Sequence, residues 1–152
     1  MSTATQKAIS AEDGARIVQW CRSQIGVPWI HQGRAPGRGL DCVGLPVCGA
    51  RAVGFARVAD MLEYSESPSP AQLLECIGRN CVPVEGPDQP GDLWLMWVRR
   101  EFLPQHATVW TGEGSIVHAK RFQGSGGVSE ERVDLRWLKH LHSKWRLCEW
   151  LR

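Results

Sequence analysis

The chain has 152 residues, 43% of them hydrophobic and 22% charged, with a formal net charge of +2 at neutral pH. That length lets one domain bury about 68–70% of the surface its unfolded chain exposes and makes a second domain unnecessary, so residues 1–152 are read as one domain with its core over 10–150. The basic residues are scattered along the chain, and nothing in the charge pattern asks for a nucleic acid or an anionic membrane as partner.

Residues 1–9 read as a polar tail, and Met1 to Glu12 hold no continuous apolar stretch, so this segment is taken as neither a signal peptide nor a membrane span and synthesis in the cytoplasm is expected. Ser10-Ala11-Glu12-Asp13 has the form of a helix cap. Ile17, Val18, Cys21 and Ile25 follow at helical spacing, and Gly26 with Pro28 closes the element, which predicts a helix over 11–25. Three glycines and a proline make 33–39 a loop. Cys42 to Phe55 is apolar on nearly every helical face and should be a buried helix, closely packed through Gly44, Gly49 and Gly54. Pro46 lacks the N–H that would bond the Cys42 carbonyl, so the first turn should be distorted and the regular helix should start near Leu45. Ser69-Pro70-Ala71-Gln72 starts another helix, with Leu73, Leu74 and Ile77 facing inward and Gly78 as its stop. Short runs then alternate with Gly, Pro and Asp turns: 81–84, 93–98, 105–111, 115–119 and 127–132. A helix near 135–141 and a strand over 144–151 complete an α+β pattern, helices first and an antiparallel sheet after.

Six cysteines, at 21, 42, 48, 76, 81 and 148, form no CxxC pair and no secreted-domain framework, so free thiols are expected. Cys42 alone sits where a Gly-rich loop runs into a helix start, the setting that can make a thiol reactive. Neutral-pH ionisation asks for a drop of two or more units from about 8.5, roughly 3 kcal/mol, of which a helix N-terminus gives about 0.3–2. Asp41 reads as the cap of this helix, and its charge opposes the thiolate, so an imidazolium partner is required. Alternation puts His106, Thr108 and Trp110 on one strand face. With Gly112-Glu113-Gly114 as a three-residue hairpin loop, Thr111 opposes Ser115 and Thr108 opposes His118, which brings His118 diagonal to His106 at about 7–8 Å. A constellation of Cys42, His106 as base and His118 as its orienting partner follows. Trp94, Trp97, Trp110, Trp145 and Trp150 fall on predicted strands and read as core or half-core, while His140 and His142 with Lys139 and Lys144 read as a solvated basic turn.

Pro28-Trp29-Ile30-His31-Gln32-Gly33-Arg34, Leu40-Asp41-Cys42-Val43-Gly44-Leu45, Gly91-Asp92-Leu93, Gln105-His106-Ala107 and Ile116-Val117-His118-Ala119 together resemble the NlpC-type cell-wall peptidases, over about residues 10–150. The resemblance is closest to the branch carried by phage tails and phage-like gene transfer agents. It implies a circularly permuted papain-like fold and a cysteine endopeptidase (hydrolase, thiol protease) acting on peptidoglycan stem peptides in cell-wall degradation. It maps the nucleophile onto Cys42, the base onto His106 and the third polar residue onto His118, with no metal or organic cofactor. Relatives commonly carry tyrosine where Trp29 stands, and the indole N–H is the donor this chain offers in its place. Trp29, Asp41, His31 and Arg34 are the candidate substrate contacts, Arg34 through a bidentate grip on a stem-peptide carboxylate. Other tail proteins are the implied partners, with no nucleic acid and no membrane insertion, and a particle tail acting in the periplasm or wall is the implied location. Three competing readings are a structural tail-tip protein with little turnover, a zinc site built from Cys42, His106, His118 and His31, and a thiol amidase or acyltransferase working on a non-wall substrate.

Overall fold

The computed structural model describes residues 6–60, 62, 64, 70–100, 103–122 and 125–152. Helix α1 (Ala11–Ser23) begins where the Ser10 hydroxyl accepts the Asp13 amide at 3.1 Å, pairing one of the donors that a helix start leaves open. Ile17, Val18 and Cys21 are buried along its inner stripe, whereas Ile25 lies beyond the helix end and is exposed. At Gly14 a Cβ would stand 1.9 Å from the Pro90 carbonyl oxygen, so this close crossing of helix and loop admits only glycine.

The loop expected over 33–39 contains a miniature hairpin, β1 (Arg34–Ala35) and β2 (Gly39–Leu40), too short for alternation to show in sequence. Helix α2 (Gly44–Ala52) is shorter than the apolar run that predicts it and is buried from Gly44 to Ala50. Helix α3 (Pro70–Asn80) continues through Gly78, and its expected cap, Ser69, lies outside the described residues. Asn80 ends α3 instead: its amide nitrogen donates to the Cys76 carbonyl at 2.9 Å and the Ala59 carbonyl at 2.7 Å, and its oxygen accepts the Ala59 amide at 2.8 Å.

Strands β3 (Cys81–Pro83), β4 (Leu93–Met96), β5 (His106–Trp110), β6 (Ser115–Phe122), β7 (Ser125–Arg132) and β8 (Leu141–Leu147) form an antiparallel sheet in the order β3-β8-β4-β5-β6-β7. The last strand is displaced from 144–151 because its ends are fixed by partners, Leu141 against Met96 and Leu147 against Cys81. Trp150 consequently leaves the sheet on a short 3-10 turn and is exposed, contrary to its expected place in the core. The four-residue helix α4 (Leu135–Leu138), capped by Asp134, links β7 to β8.

Alternation divides the sheet's two faces. Leu95, Ala107, Val109, Val117 and Ala119 pack with α1 and α2 in the main core, while Trp94, Met96 and Ile116 form a smaller cluster on the other face with Trp110, Trp137 and Leu141 around it. All six cysteines are free thiols, five of them buried and Cys42 half-buried. Among the described residues no helix is long and apolar enough to cross a membrane.

Candidate active site

Cys42 is held by a turn that Asp41 winds. The Asp41 carbonyl accepts the Leu45 amide at 3.1 Å, and its side-chain Oδ1 accepts the amides of Val43 at 3.1 Å and Gly44 at 2.8 Å. Pro46 offers no N–H to the Cys42 carbonyl, which is why regular helix begins only at Gly44, after the distorted turn that the proline predicts. Gly44 is forced by packing, since a Cβ there would lie 2.0 Å from the Gly33 carbonyl oxygen. The thiol therefore sits at a helix mouth pressed tightly onto the preceding loop.

Arg34 fixes that loop from beneath. Its Nε and Nη2 donate to the two Asp60 oxygens at 2.8 and 3.0 Å, Nη1 donates to Asp41 at 2.8 Å and to the Gly33 carbonyl at 3.0 Å, and Nη2 also reaches the Tyr64 hydroxyl at 2.9 Å. Tyr64 in turn donates to Asp41 Oδ2, which also accepts the Gln32 amide at 3.0 Å. Gln32 takes up a left-handed φ of 56°, an uncommon conformation for a residue with a Cβ, and its side chain donates to the carbonyls of Leu62 and Tyr64. Burial alone would lower the Arg34 pKa, but Asp60, Asp41 and Tyr64 hold it above its ordinary value. Every guanidinium nitrogen and both Asp41 oxygens thus have partners inside the protein.

On the sheet, the pairs Val109↔Val117 and Trp110↔Ile116 give the register expected from the three-residue hairpin loop. The β5–β6 ladder is confined to those pairs, so it has lapsed where His106 and His118 face each other across 2.8 Å, Nε2 to Nδ1. His118 is fully buried, its ring 5.4 Å from Trp137 and edge-on to it, and its Nε2 meets Glu131. Cys42, His106, His118 and Glu131 line one cavity of about 1000 Å³ that also takes in Trp29, His31 and Asp41. The thiol faces β5 at the residue after His106, whose backbone N–H at Ala107 favours its ionised form.

Burial, and after it the Asp41 carboxylate, pushes the Cys42 thiol up to about 12 despite the Ala107 N–H, Arg34 and its own N–H. Burial, then His118 and Lys120, push His106 down to about 3. His118 is also lowered, by burial first, with Glu131 opposing. Burial thus disfavours the charged form of both groups, against the thiolate and imidazolium expected from the helix-mouth argument. Desolvation outweighs the helix mouth here, because Arg34, the cation that favours the thiolate, is already shared between two carboxylates.

His31 stands at the cavity edge, its ring 5.5 Å from Tyr64 and 6.4 Å from Trp29. Trp29 is half-buried, with the Arg121 guanidinium 5.1 Å over its ring. His140 is an exposed turn residue, as expected, which borders the cavity with its Nδ1 3.0 Å from the Trp97 carbonyl. The zinc reading is not assembled: among the described residues no group of three or more His, Cys, Asp or Glu side chains is placed to hold a metal. Sequence reasoning missed Tyr64, Asp60, Gln32 and Glu131. For Glu131 a signal existed, since pairing His118 with Ser129 puts residue 131 on the histidine's face; Asp60 and Tyr64 lie in a stretch without periodicity.

No family model matches the chain. A probable endopeptidase of Mycobacterium tuberculosis (strain ATCC 25618 / H37Rv) is 26% identical over 110 residues, 72% of this chain. The chain spans about a quarter of the length of the curated relatives it matches, 24%. Among solved structures, a lipoprotein-like NLP/P60 family protein of Staphylococcus aureus superimposes with a TM-score of 0.65 at 15% identity, over 96% of this chain and 45% of that one. The NlpC/p60 domain of the peptidoglycan hydrolase SagA gives 0.55 at 21% identity, over 88% of this chain and 97% of that domain. The fold is thus the papain-like α+β fold of the NlpC/P60 proteins.

Proposed function

We propose that this chain is a cysteine endopeptidase of the NlpC/P60 type that hydrolyses amide bonds in peptidoglycan stem peptides, with residues 10–150 as one peptidase domain. The observation that carries the reading is a half-buried thiol and a linked histidine pair lining one cavity, with His106 Nε2 and His118 Nδ1 2.8 Å apart. The peptidoglycan substrate is supported by the likeness to the SagA domain, and the endopeptidase activity by the name of the mycobacterial relatives.

In this mechanism His106 acts through Nδ1, since Nε2 is engaged with His118. Because burial favours the uncharged form of both thiol and imidazole, the proton moves from Cys42 Sγ to His106 Nδ1 as sulfur bonds to the scissile carbonyl carbon. The Cys42 N–H and the Trp29 indole N–H are the donors for the oxyanion. The C–N bond then breaks, His106 returns its proton to the leaving amine, and a thioester remains on Cys42. Water attacks that thioester, giving one proton to His106 as its oxygen bonds to carbon. The S–C bond breaks, and the proton returns to sulfur.

Purified peptidoglycan digested with the wild type and with Cys42→Ala, with fragments read by mass spectrometry, tests the reading. Peptide fragments released by the wild type alone support it. Release by both proteins, or by neither while the wild-type thiol remains intact, overturns it. Carriage on a phage-like tail, with action in the periplasm or wall, belongs to the same proposal through the sequence motifs; co-sedimentation with tail-bearing particles supports it, and recovery only as free protein from lysates that hold such particles contradicts it.

A further inference from the structure

We propose that Glu131 is a positioning residue whose carboxylate fixes the tautomers of both histidines, so that His106 presents a bare Nδ1 lone pair to Cys42. The inference rests on the peptidase reading for its consequence in turnover, but not for its effect on the rings.

A neutral imidazole has one N–H and one lone pair, so a pair joined Nε2 to Nδ1 has two arrangements. In one, His106 donates from Nε2 to His118 Nδ1, and His106 Nδ1 is a base. In the other, His118 donates from Nδ1 to His106 Nε2, and His106 carries its proton on Nδ1, where it cannot accept one from a thiol. Nothing within the pair itself separates the two. Glu131 breaks this degeneracy, because an ionised carboxylate only accepts and the His118 Nε2 that meets it must therefore bear hydrogen. That leaves His118 Nδ1 as acceptor, His106 Nε2 as donor and His106 Nδ1 bare.

The fold builds this contact in. Ser129 pairs with His118 and Glu131 with Ile116 in the β6–β7 ladder, so Glu131 lies two residues along the same face as His118. The His118 ring has no solvent exposure while the Glu131 side chain keeps 35%, so the carboxylate holds a buried ring from the cavity rim. Other charged or titratable groups near the relay are His106 from β5 and Lys120 from β6, together with Arg136 and His140 on the cavity wall. None of them is an acceptor-only group on His118 Nε2. Glu130, the neighbouring carboxylate, is committed elsewhere, to Arg22 at 2.9 and 3.1 Å and to Ser115 at 2.7 Å.

Long-range proton–nitrogen NMR of the histidine rings in the full chain tests this, in wild type, Glu131→Gln, Glu131→Ala and Glu130→Gln. The wild type and Glu130→Gln should show both His106 and His118 as Nε2–H tautomers. Glu131→Gln should shift both rings toward Nδ1–H, because its amide can donate to His118 Nε2, and Glu131→Ala, which serves alone if the first variant fails to fold, should give a mixture. On muropeptides kcat should fall roughly a hundredfold in Glu131→Gln with KM little changed, a smaller loss than the roughly 10⁴-fold seen when the group directly behind a catalytic histidine imposes the wrong tautomer. Unchanged ring tautomers in the Glu131 variants would overturn the inference, and so would full turnover in Glu131→Gln. A wild type that hydrolyses no muropeptide would sink the peptidase reading, while the ring spectra would still decide Glu131.

Discussion

On the loop side of Cys42, Asp41 and Asp60 grip Arg34 until every guanidinium nitrogen has a partner. On the sheet side, Glu131 holds His118 and His118 holds His106, and one ring nitrogen is left over. Both networks anchor a nitrogen base on a carboxylate in a largely buried place, yet only the second retains an atom able to do chemistry. The first is a scaffold because its members are saturated and Arg34 cannot lose its proton; the second can act because imidazole changes state at small cost.

The contrast is broken most forcefully at the shared residue. Cys42→Ser should lower peptidoglycan hydrolysis by roughly 10⁴- to 10⁶-fold, the range for removal of a nucleophile, and leave the thermal midpoint nearly unchanged. A large fall in the midpoint would make Cys42 structural.

Arg34→Met should do the opposite, destabilising the fold by about 3–5 kcal/mol because Asp41 and Asp60 lose a buried partner. At roughly 2–4 °C per kcal/mol for a chain of this size, calorimetry should read a drop on the order of 10 °C. A drop of only a degree or two would mean that this network is dispensable to folding.

Sequence showed more of the sheet-side network than of the loop-side one, for a physical reason. Strand alternation and a short hairpin loop fix which residues share a face, so His106 and His118 could be paired from spacing alone, and Glu131 would have followed had the β6–β7 register been carried one strand further. Arg34, Asp60 and Tyr64 meet through loops with no period, and an arginine in a Gly-rich loop looks the same whether it will face substrate or bury itself between two aspartates. The helix mouth at Cys42 was visible from Asp41 and Pro46, but the desolvation that decides the thiol's protonation depends on what the fold stacks around it.

The preference for uncharged forms at Cys42 and His106 can be tested by pH. With burial first among the causes that hold Cys42 up at about 12 and His106 down at about 3, iodoacetamide should alkylate Cys42 about tenfold faster per pH unit between about 6 and 9, tracking the small thiolate fraction. A rate already flat above about pH 5 would restore the ion pair.

The smallest effect is on stability. His106 has a folded pKa below its ordinary 6.5, so the unfolded chain binds its proton first. Its contribution is intact above 6.5 and diminishes as pH falls toward about 3. In urea titrations across that window His106→Gln should lose stability less steeply than wild type; an equal or steeper slope would place the acid sensitivity elsewhere.

The central claim, that Cys42 is acylated by a peptide and His106 takes its proton, is tested most directly by acid-quenching the enzyme during turnover of a muropeptide and mapping the thioester by mass spectrometry. An acyl adduct is expected on Cys42 alone among the six cysteines, absent from His106→Ala. Hydrolysis proceeding at full rate with the adduct on another residue, or an undiminished Cys42 adduct in His106→Ala, would contradict it.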